Sequence, residues 1–79
     1  MPAKKRWIFV KDILSGDRVR VQGSNGWETL EASGNGAAGK KGCSVLLMDD
    51  DLRVRSFSGP PDAECQLIRS GVARRAAEG

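Results

Sequence analysis

The sequence lacks histidine and tyrosine, and only four of its 79 residues are aromatic. Histidine is the side chain whose ordinary pKa lies closest to neutral, so its absence removes the usual general base. A nucleophilic cysteine would need activation by lysine or arginine instead. Paired carboxylates such as Glu28 and Glu31 lie on a predicted strand, where solvated charge is the better account. We therefore predict no enzymatic activity, no metal and no cofactor.

Long apolar runs are also missing. No run approaches the roughly 18 residues that a membrane helix needs, and the N-terminus has no signal-peptide core. We therefore expect a cytoplasmic protein without a membrane partner. In that reducing setting Cys43 and Cys65, which lie beside apolar residues, are predicted to be free and packed. A disulfide, which would contribute ~3 kcal/mol, and a reactive thiol are the alternatives.

What is present is typical of one small globular domain, with 39% hydrophobic residues, 29% charged residues and ten glycines. The apolar residues fall in short runs between turn residues, without a convincing helix pattern. We predict an all-β domain over residues 7–69, a small barrel of five or six short antiparallel strands, because closure removes exposed sheet edges. Residues 1–6 are predicted to be a flexible basic leader and residues 70–79 a flexible C-terminal tail, with a single helical turn over residues 71–79 as the alternative.

The clearest strand signal is the alternation of arginine and valine before Gln22. It places Val19 and Val21 on one face, and Arg18 and Arg20 on the other. Buried valines and exposed arginines are the expected arrangement.

A hairpin should follow, because the pair Asn25-Gly26 suits a tight turn. In the next strand Trp27 and Leu30 have opposite parity. Either a bulge shifts the register there, or one of the two residues lies at the surface.

Two short segments resemble ligand sites only superficially. Residues 33–42 contain the pattern G-x-G-x-x-G followed by two lysines, but a predicted strand rather than a helix comes next. A phosphate-binding loop needs the helix N-terminus, so we predict a mobile loop. Residues 49–51 are three aspartates without the spacing of a calcium loop, and we predict a hairpin turn there.

Basic residues are concentrated on predicted strand faces and in the glycine-rich loop. If the strands around residues 18–22 and 52–55 are neighbours, their arginines form a stripe that the loop lysines extend. Such a stripe can follow a phosphate backbone. The candidate binding residues are Arg18, Arg20, Lys40, Lys41, Arg53 and Arg55. The alternative interpretation is a solvated charged face or a face that contacts a protein. One contiguous positive face would favour nucleic acid, whereas a mixed-charge surface with an exposed Trp7 or Trp27 would favour a protein.

The stretch from Gly16 to Gly23, with Gly26 just beyond, resembles the opening of a KOW-type element in SH3-like barrels. In those domains a glycine turn delivers an alternating strand. The wider layout, from Trp7 to Arg69, is similar to small SH3-like proteins of high-GC bacteria and their phages. The resemblance implies an SH3-like barrel with loops at one rim. Such barrels bind nucleic acid, peptides or larger protein assemblies, so the fold leaves the partner open.

The preferred functional prediction is a non-enzymatic binding module that contacts nucleic acid or a nucleoprotein complex through its basic strand faces and its glycine–lysine loop. The alternative is a protein-binding inhibitor or adaptor of the phage or mobile-element type, which blocks a host complex. Either could act as a monomer or as a homodimer. A third possibility is a self-associating structural part that pairs through an open barrel edge or through the strand at residues 7–10. The net charge of +3 is compatible with both interpretations.

Overall fold

An antiparallel sheet of seven strands is formed by the residues that the structure, a computed structural model, describes: 6–23 and 25–78. The strands are β1 (Arg6–Phe9), β2 (Arg18–Gly23), β3 (Gly26–Ala32), β4 (Ala37–Gly39), β5 (Gly42–Met48), β6 (Val54–Gly59) and β7 (Glu64–Arg69). A 3-10 turn (Val10–Asp12) follows β1, and a short helix, α1 (Val72–Glu78), follows β7.

The sheet curls into a half-barrel. Strand β7 lies between β1 and β2, and the order continues through β3 to β5. One edge of β5 pairs with β6, and the other pairs with β3 and β4. Strands β1, β4 and β6 each pair with one neighbouring strand among the described residues, so each of them keeps one unpaired edge.

The core lies on the inner side of this curl. Its members are apolar side chains that alternate along the strands with exposed residues, as expected for a sheet with one buried face. They are Val10, Ile13, Val19, Val21, Leu30, Ala32, Cys43, Val45, Leu47, Cys65 and Leu67. Both cysteines are free and buried, as predicted, and burial raises the pKa of the Cys65 thiol to about 11.

The predicted all-β class is confirmed, and the antiparallel sheet curls into a half-barrel of seven strands that is consistent with the predicted small barrel. The seventh strand is β4, which pairs with the start of β5 inside the segment predicted to be a mobile loop. Alanine and glycine have low strand propensity, so this short pairing was not visible in the composition. In the β2–β3 hairpin, Gly26 has a φ of 107°, which explains the need for glycine at the predicted turn.

Residues 72–78 form the helix α1, within the segment predicted to be a flexible tail or a single helical turn. The helix is held by Arg74, whose side chain is buried with 7% exposure. Its Nε donates a hydrogen bond to the Asp17 carboxylate at 2.8 Å, and its Nη2 donates to the carbonyl of Asp12 at 2.5 Å. Helix propensity alone does not predict a stable helix in so short a segment. The contact that anchors α1 joins residues far apart in sequence, so local pattern does not reveal it.

Asp17 is the other half of this anchor and is fully buried. Its carboxylate also accepts hydrogen bonds from the backbone N–H of Leu14 at 3.0 Å and of Gly71 at 2.8 Å. Burial acts to raise the pKa of Asp17. The two backbone donors and the Arg74 guanidinium outweigh burial and hold the pKa of this carboxyl below its ordinary value.

The two ends of the described chain meet at the helix. Arg6, the first residue of β1, forms an ion pair with Glu78 of α1. The rest of the predicted leader, residues 1–5, lies outside the described residues. Among the described residues, none of the helical segments has the length and apolar content required to span a membrane.

Candidate nucleic-acid interface

The outer face of β1, β7, β2 and β3 carries a row of side chains across four strands. Trp7 lies opposite Gln66, Gln66 lies opposite Arg20, and Arg20 lies opposite Thr29. Residues directly opposite each other share a face, so these four side chains are neighbours on the side away from the core. The two valines of β2 point inward with 0% and 2% exposure, which confirms the predicted orientation of its arginines.

Two tryptophans contact each other on this face. The ring centroids of Trp7 and Trp27 are 6.1 Å apart, with an interplanar angle of 72° that is an edge-to-face arrangement. Their exposed fractions are 49% and 44%, so about half of each side chain faces solvent. The parity conflict in β3 is thereby resolved: Leu30 takes the core position and Trp27 the surface position.

Three arginines accompany the tryptophans. The guanidinium carbon of Arg20 lies 5.6 Å from the ring centroid of Trp27, within cation–π range. Arg18 is two residues away on the same face of β2 and lies directly opposite Arg69 of β7. We call the residues of this surface the Trp–Arg face: Trp7, Trp27, Arg18, Arg20 and Arg69.

Arg18 lies between a like charge and an opposite charge. Arg69 of β7 is opposite Arg18 on one side, and Glu31 of β3 is opposite it on the other. The ion pair of Arg18 with Asp50 is 3.9 Å long and the Asp50 side chain is 91% exposed, so this ion pair contributes little. Like charges directly opposite each other destabilise an antiparallel pair, so an anion bound beside Arg69 would relieve the repulsion between the two arginines.

Arg53 and Arg55 do not join this face, so the prediction of one basic stripe is wrong for these two residues. Arg53 lies in the loop before β6. Arg55 lies opposite Leu47, which is buried at 1% exposure, so Arg55 is on the inner side of the sheet. There its guanidinium donates to the Glu28 carboxylate at 3.1 Å.

The backbone before β6 explains the reversal. Leu52 has a φ of 63°, the left-handed region that non-glycine residues seldom adopt. The following register places Val54 opposite Met48 on the outer side, with 51% exposure, instead of in the core. A shift of one residue moves every side chain of a strand to the other face. The alternation of apolar and basic residues alone does not determine which of the two sets of side chains faces the core.

Lys40 and Lys41 are exposed in the turn between β4 and β5. This turn lies at the beginning of β5, whereas β3 pairs with the end of that strand. The two lysines are therefore remote from the contact between β3 and β5. Of the six predicted binding residues, the Trp–Arg face brings together Arg18 and Arg20.

A cavity of about 160 Å³ opens on the inner side between β2, β3 and β6. Its lining is mostly apolar, with the Glu28–Arg55 ion pair at the same place: Val21, Gly23, Glu28, Leu30, Leu47, Arg55, Ser56 and Phe57. The cavity therefore extends from the buried core residues to the surface of the protein.

The aspartate turn forms hydrogen bonds within itself. One carboxylate oxygen of Asp49 accepts from the backbone N–H of Asp51 at 2.9 Å and of Arg53 at 3.0 Å. This is the ordinary role of aspartate in a turn. No group of three or more potential metal ligands occurs within residues 6–23 and 25–78.

Sequence reasoning did not select Trp7, Trp27 or Arg69 as binding residues. The available signal for Trp27 was its parity against Leu30, which required one of the two to be exposed. For Arg69 no local signal exists, because its place opposite Arg18 depends on a pairing between residues 51 positions apart, with a register irregularity next to it.

No protein-family model matches this chain, and neither a curated protein nor a solved structure does. The resemblance to KOW-type SH3-like barrels therefore stays a prediction.

Proposed function

We propose that the protein is a non-enzymatic binding module that contacts nucleic acid through the Trp–Arg face. The observation that carries the proposal is the placement of two half-exposed tryptophans beside three arginines on one side of the sheet. Aromatic rings stack on bases, and guanidinium groups neutralise phosphates. The combination supplies both interactions within one continuous surface.

The electrostatics of the whole chain agree with this proposal. The net charge is +3. Arg74 and Arg55 are already paired with buried or partly buried carboxylates, whereas the cations of the Trp–Arg face have weak partners or none among the described residues. A phosphate would therefore find cations with weak ion pairs beside the two tryptophans of this face.

A protein partner is the second candidate function, as for an adaptor or inhibitor that blocks a host complex. The observation that favours it is the acidic residue Glu31, which lies opposite Arg18 on the same outer face. Exposed tryptophan and arginine are also the residues most enriched at protein-interface hot spots. A mixed-charge surface suits a protein better than it suits a polyanion.

The test of the proposed function compares two charge reversals of equal size. Labelled single-stranded and duplex oligonucleotides are titrated with the protein at 50 mM salt, and fluorescence anisotropy reports binding. Arg20→Glu changes the Trp–Arg face, whereas Lys41→Glu makes a charge reversal of the same size in the exposed turn between β4 and β5. We expect Arg20→Glu to weaken binding at least about tenfold, since it removes a phosphate contact and adds repulsion. Lys41→Glu should change the affinity by less than about threefold.

Two outcomes would contradict the proposal. One is the absence of binding to any of the oligonucleotides at 50 mM salt. The other is an equal loss in both variants, which would mean that only net charge matters. If neither DNA nor RNA binds and affinity capture yields a complex that survives nuclease treatment, the protein partner is the correct function.

A further inference from the structure

We infer that the Trp–Arg face takes single-stranded nucleic acid, with unpaired bases against the tryptophan pair and phosphates against the arginines. This inference rests on the proposed function and narrows it to one class of ligand. Single-stranded DNA and single-stranded RNA share the chemistry in question, which is an unpaired base next to a phosphate.

The width of the face argues against a duplex. The Trp–Arg face spans β1, β7, β2 and β3, and strands about 4.8 Å apart make it about 14 Å wide before side chains are added. The major groove of DNA is about 12 Å wide and admits a helix or a two-stranded ribbon. A four-stranded face cannot enter it. The bases of a duplex would stay out of reach.

The tryptophans point to the same ligand class. Trp7 and Trp27 leave about half of their surface exposed, and stacking is the interaction that such rings offer to a base. In a duplex both faces of each base are covered by neighbouring base pairs. Only an unpaired base can present a free face, so the aromatic pair contributes to binding only if the strand is single.

The arginines define a short path beside the rings. Arg18 and Arg20 are two residues apart on β2, which separates them by about 7 Å along the strand. Trp27 lies opposite Gln22, a further two residues along. The path from the Arg18–Arg69 pair to the tryptophans is therefore about 13 Å long, and a short oligonucleotide covers it.

The experiment uses the protein's own fluorescence. The chain has two tryptophans, and both belong to the Trp–Arg face, so quenching reports contact at that face. The full chain is titrated with a thymidine hexamer, a uridine hexamer and a 12-base-pair duplex at 50 mM salt. We expect both hexamers to quench the fluorescence and to bind at least about tenfold more tightly than the duplex, since stacking on an unpaired base is worth about that factor or more.

Two variants test the stacking contact itself. Trp27→Leu should weaken hexamer binding about tenfold, measured by anisotropy of a labelled hexamer, whereas Trp27→Phe retains an aromatic ring and most of the affinity. Thermal unfolding of both variants checks that each is folded at the temperature of the assay. Three arginines on a single strand also predict a fall in affinity on the order of 20-fold between 50 and 200 mM salt.

The outcomes separate the inference from the proposed function. Hexamer binding with quenching, and loss in Trp27→Leu but not in Trp27→Phe, supports both. Duplex binding equal to or tighter than hexamer binding overturns the single-strand inference and leaves the proposed function standing. Equal affinities of Trp27→Leu and Trp27→Phe overturn the stacking contact. Binding to none of the three probes overturns both proposals.

Discussion

Arg74 and Arg20 lie in two regions of the molecule and show what the same side chain does in each. Arg74 is the buried arginine of α1, and it donates hydrogen bonds to the Asp17 carboxylate and to the carbonyl of Asp12. Arg20 is exposed on the outer face, and the partner found for it among the described residues is the ring of Trp27. A buried arginine with satisfied hydrogen bonds stabilises the fold, whereas an exposed arginine whose partner is an aromatic ring remains available to bind a ligand.

This difference teaches that charge content alone says little about a small basic protein. The Asp17–Arg74 pair contributes nothing to a surface potential, because it is neutral overall and buried. The Trp–Arg face carries little of the fold, because its side chains lie outside the core. Stability and binding should therefore respond to different substitutions, and three predictions test that separation.

The largest effect is expected from Asp17→Ala. The variant leaves the Arg74 guanidinium and two backbone N–H groups without their acceptor. Removing one partner of a buried pair costs about 3–5 kcal/mol. A domain of this size has a total stability of about 4–12 kcal/mol, so urea unfolding followed by circular dichroism should show a partly or wholly unfolded variant.

Arg75→Ala is the control for that prediction. Arg75 is the exposed neighbour of Arg74 on the same helix, and its loss should change the free energy of unfolding by less than about 0.5 kcal/mol. A stable Asp17→Ala variant would mean that α1 is not held by this pair.

The second effect is a loss of stability in acid. The pKa of Asp17 in the folded protein lies below its value in the unfolded chain, so the contribution of Asp17 is complete above about pH 4. It is lost as the pH falls through the lower pKa of the folded state. Urea midpoints measured from pH 6 to pH 2 should fall in this acid range.

Arg74→Met should reduce that acid dependence, because the charged form of Asp17 then has fewer stabilising partners. An acid profile that is identical in the wild type and in Arg74→Met would contradict the role given to the pair.

The smallest change in stability is expected at the Trp–Arg face. Arg20→Ala removes an exposed side chain with a cation–π contact to Trp27, which is worth about 0.5–1 kcal/mol at exposed sites. Thermal unfolding should therefore show a shift of only a few degrees, while binding to a single strand weakens severalfold. A large loss of stability in this variant would mean that the face is structural and not a binding surface.

Much of the fold could be predicted from local pattern. The alternation around Val19 and Val21 gave the buried face of β2, and the Asn25-Gly26 pair located the hairpin. These features depend on neighbouring residues, for which period-2 alternation and turn chemistry are reliable guides.

The features that the sequence did not reveal depend on distant residues. Asp17 and Arg74 are 57 positions apart, and neither has a local signal of burial. The inward position of Arg55 follows from the register of β6 against β5, after a turn in which Leu52 has a positive φ. Three of the five residues of the Trp–Arg face were not predicted. For Arg69 the reason is the same, since it reaches this face only through the pairing of β7 with β2.

The position of β7 also has a consequence for the order of events during synthesis. Strand β7 lies between β1 and β2, and Leu67 pairs with both Arg6 and Val19. Strand β1 therefore has no strand to pair with until β7 has left the ribosome. Pairing between residues so far apart is slow compared with local hairpins. We expect the β2–β3 hairpin to form first and β1 to join the sheet only after β7 has been made.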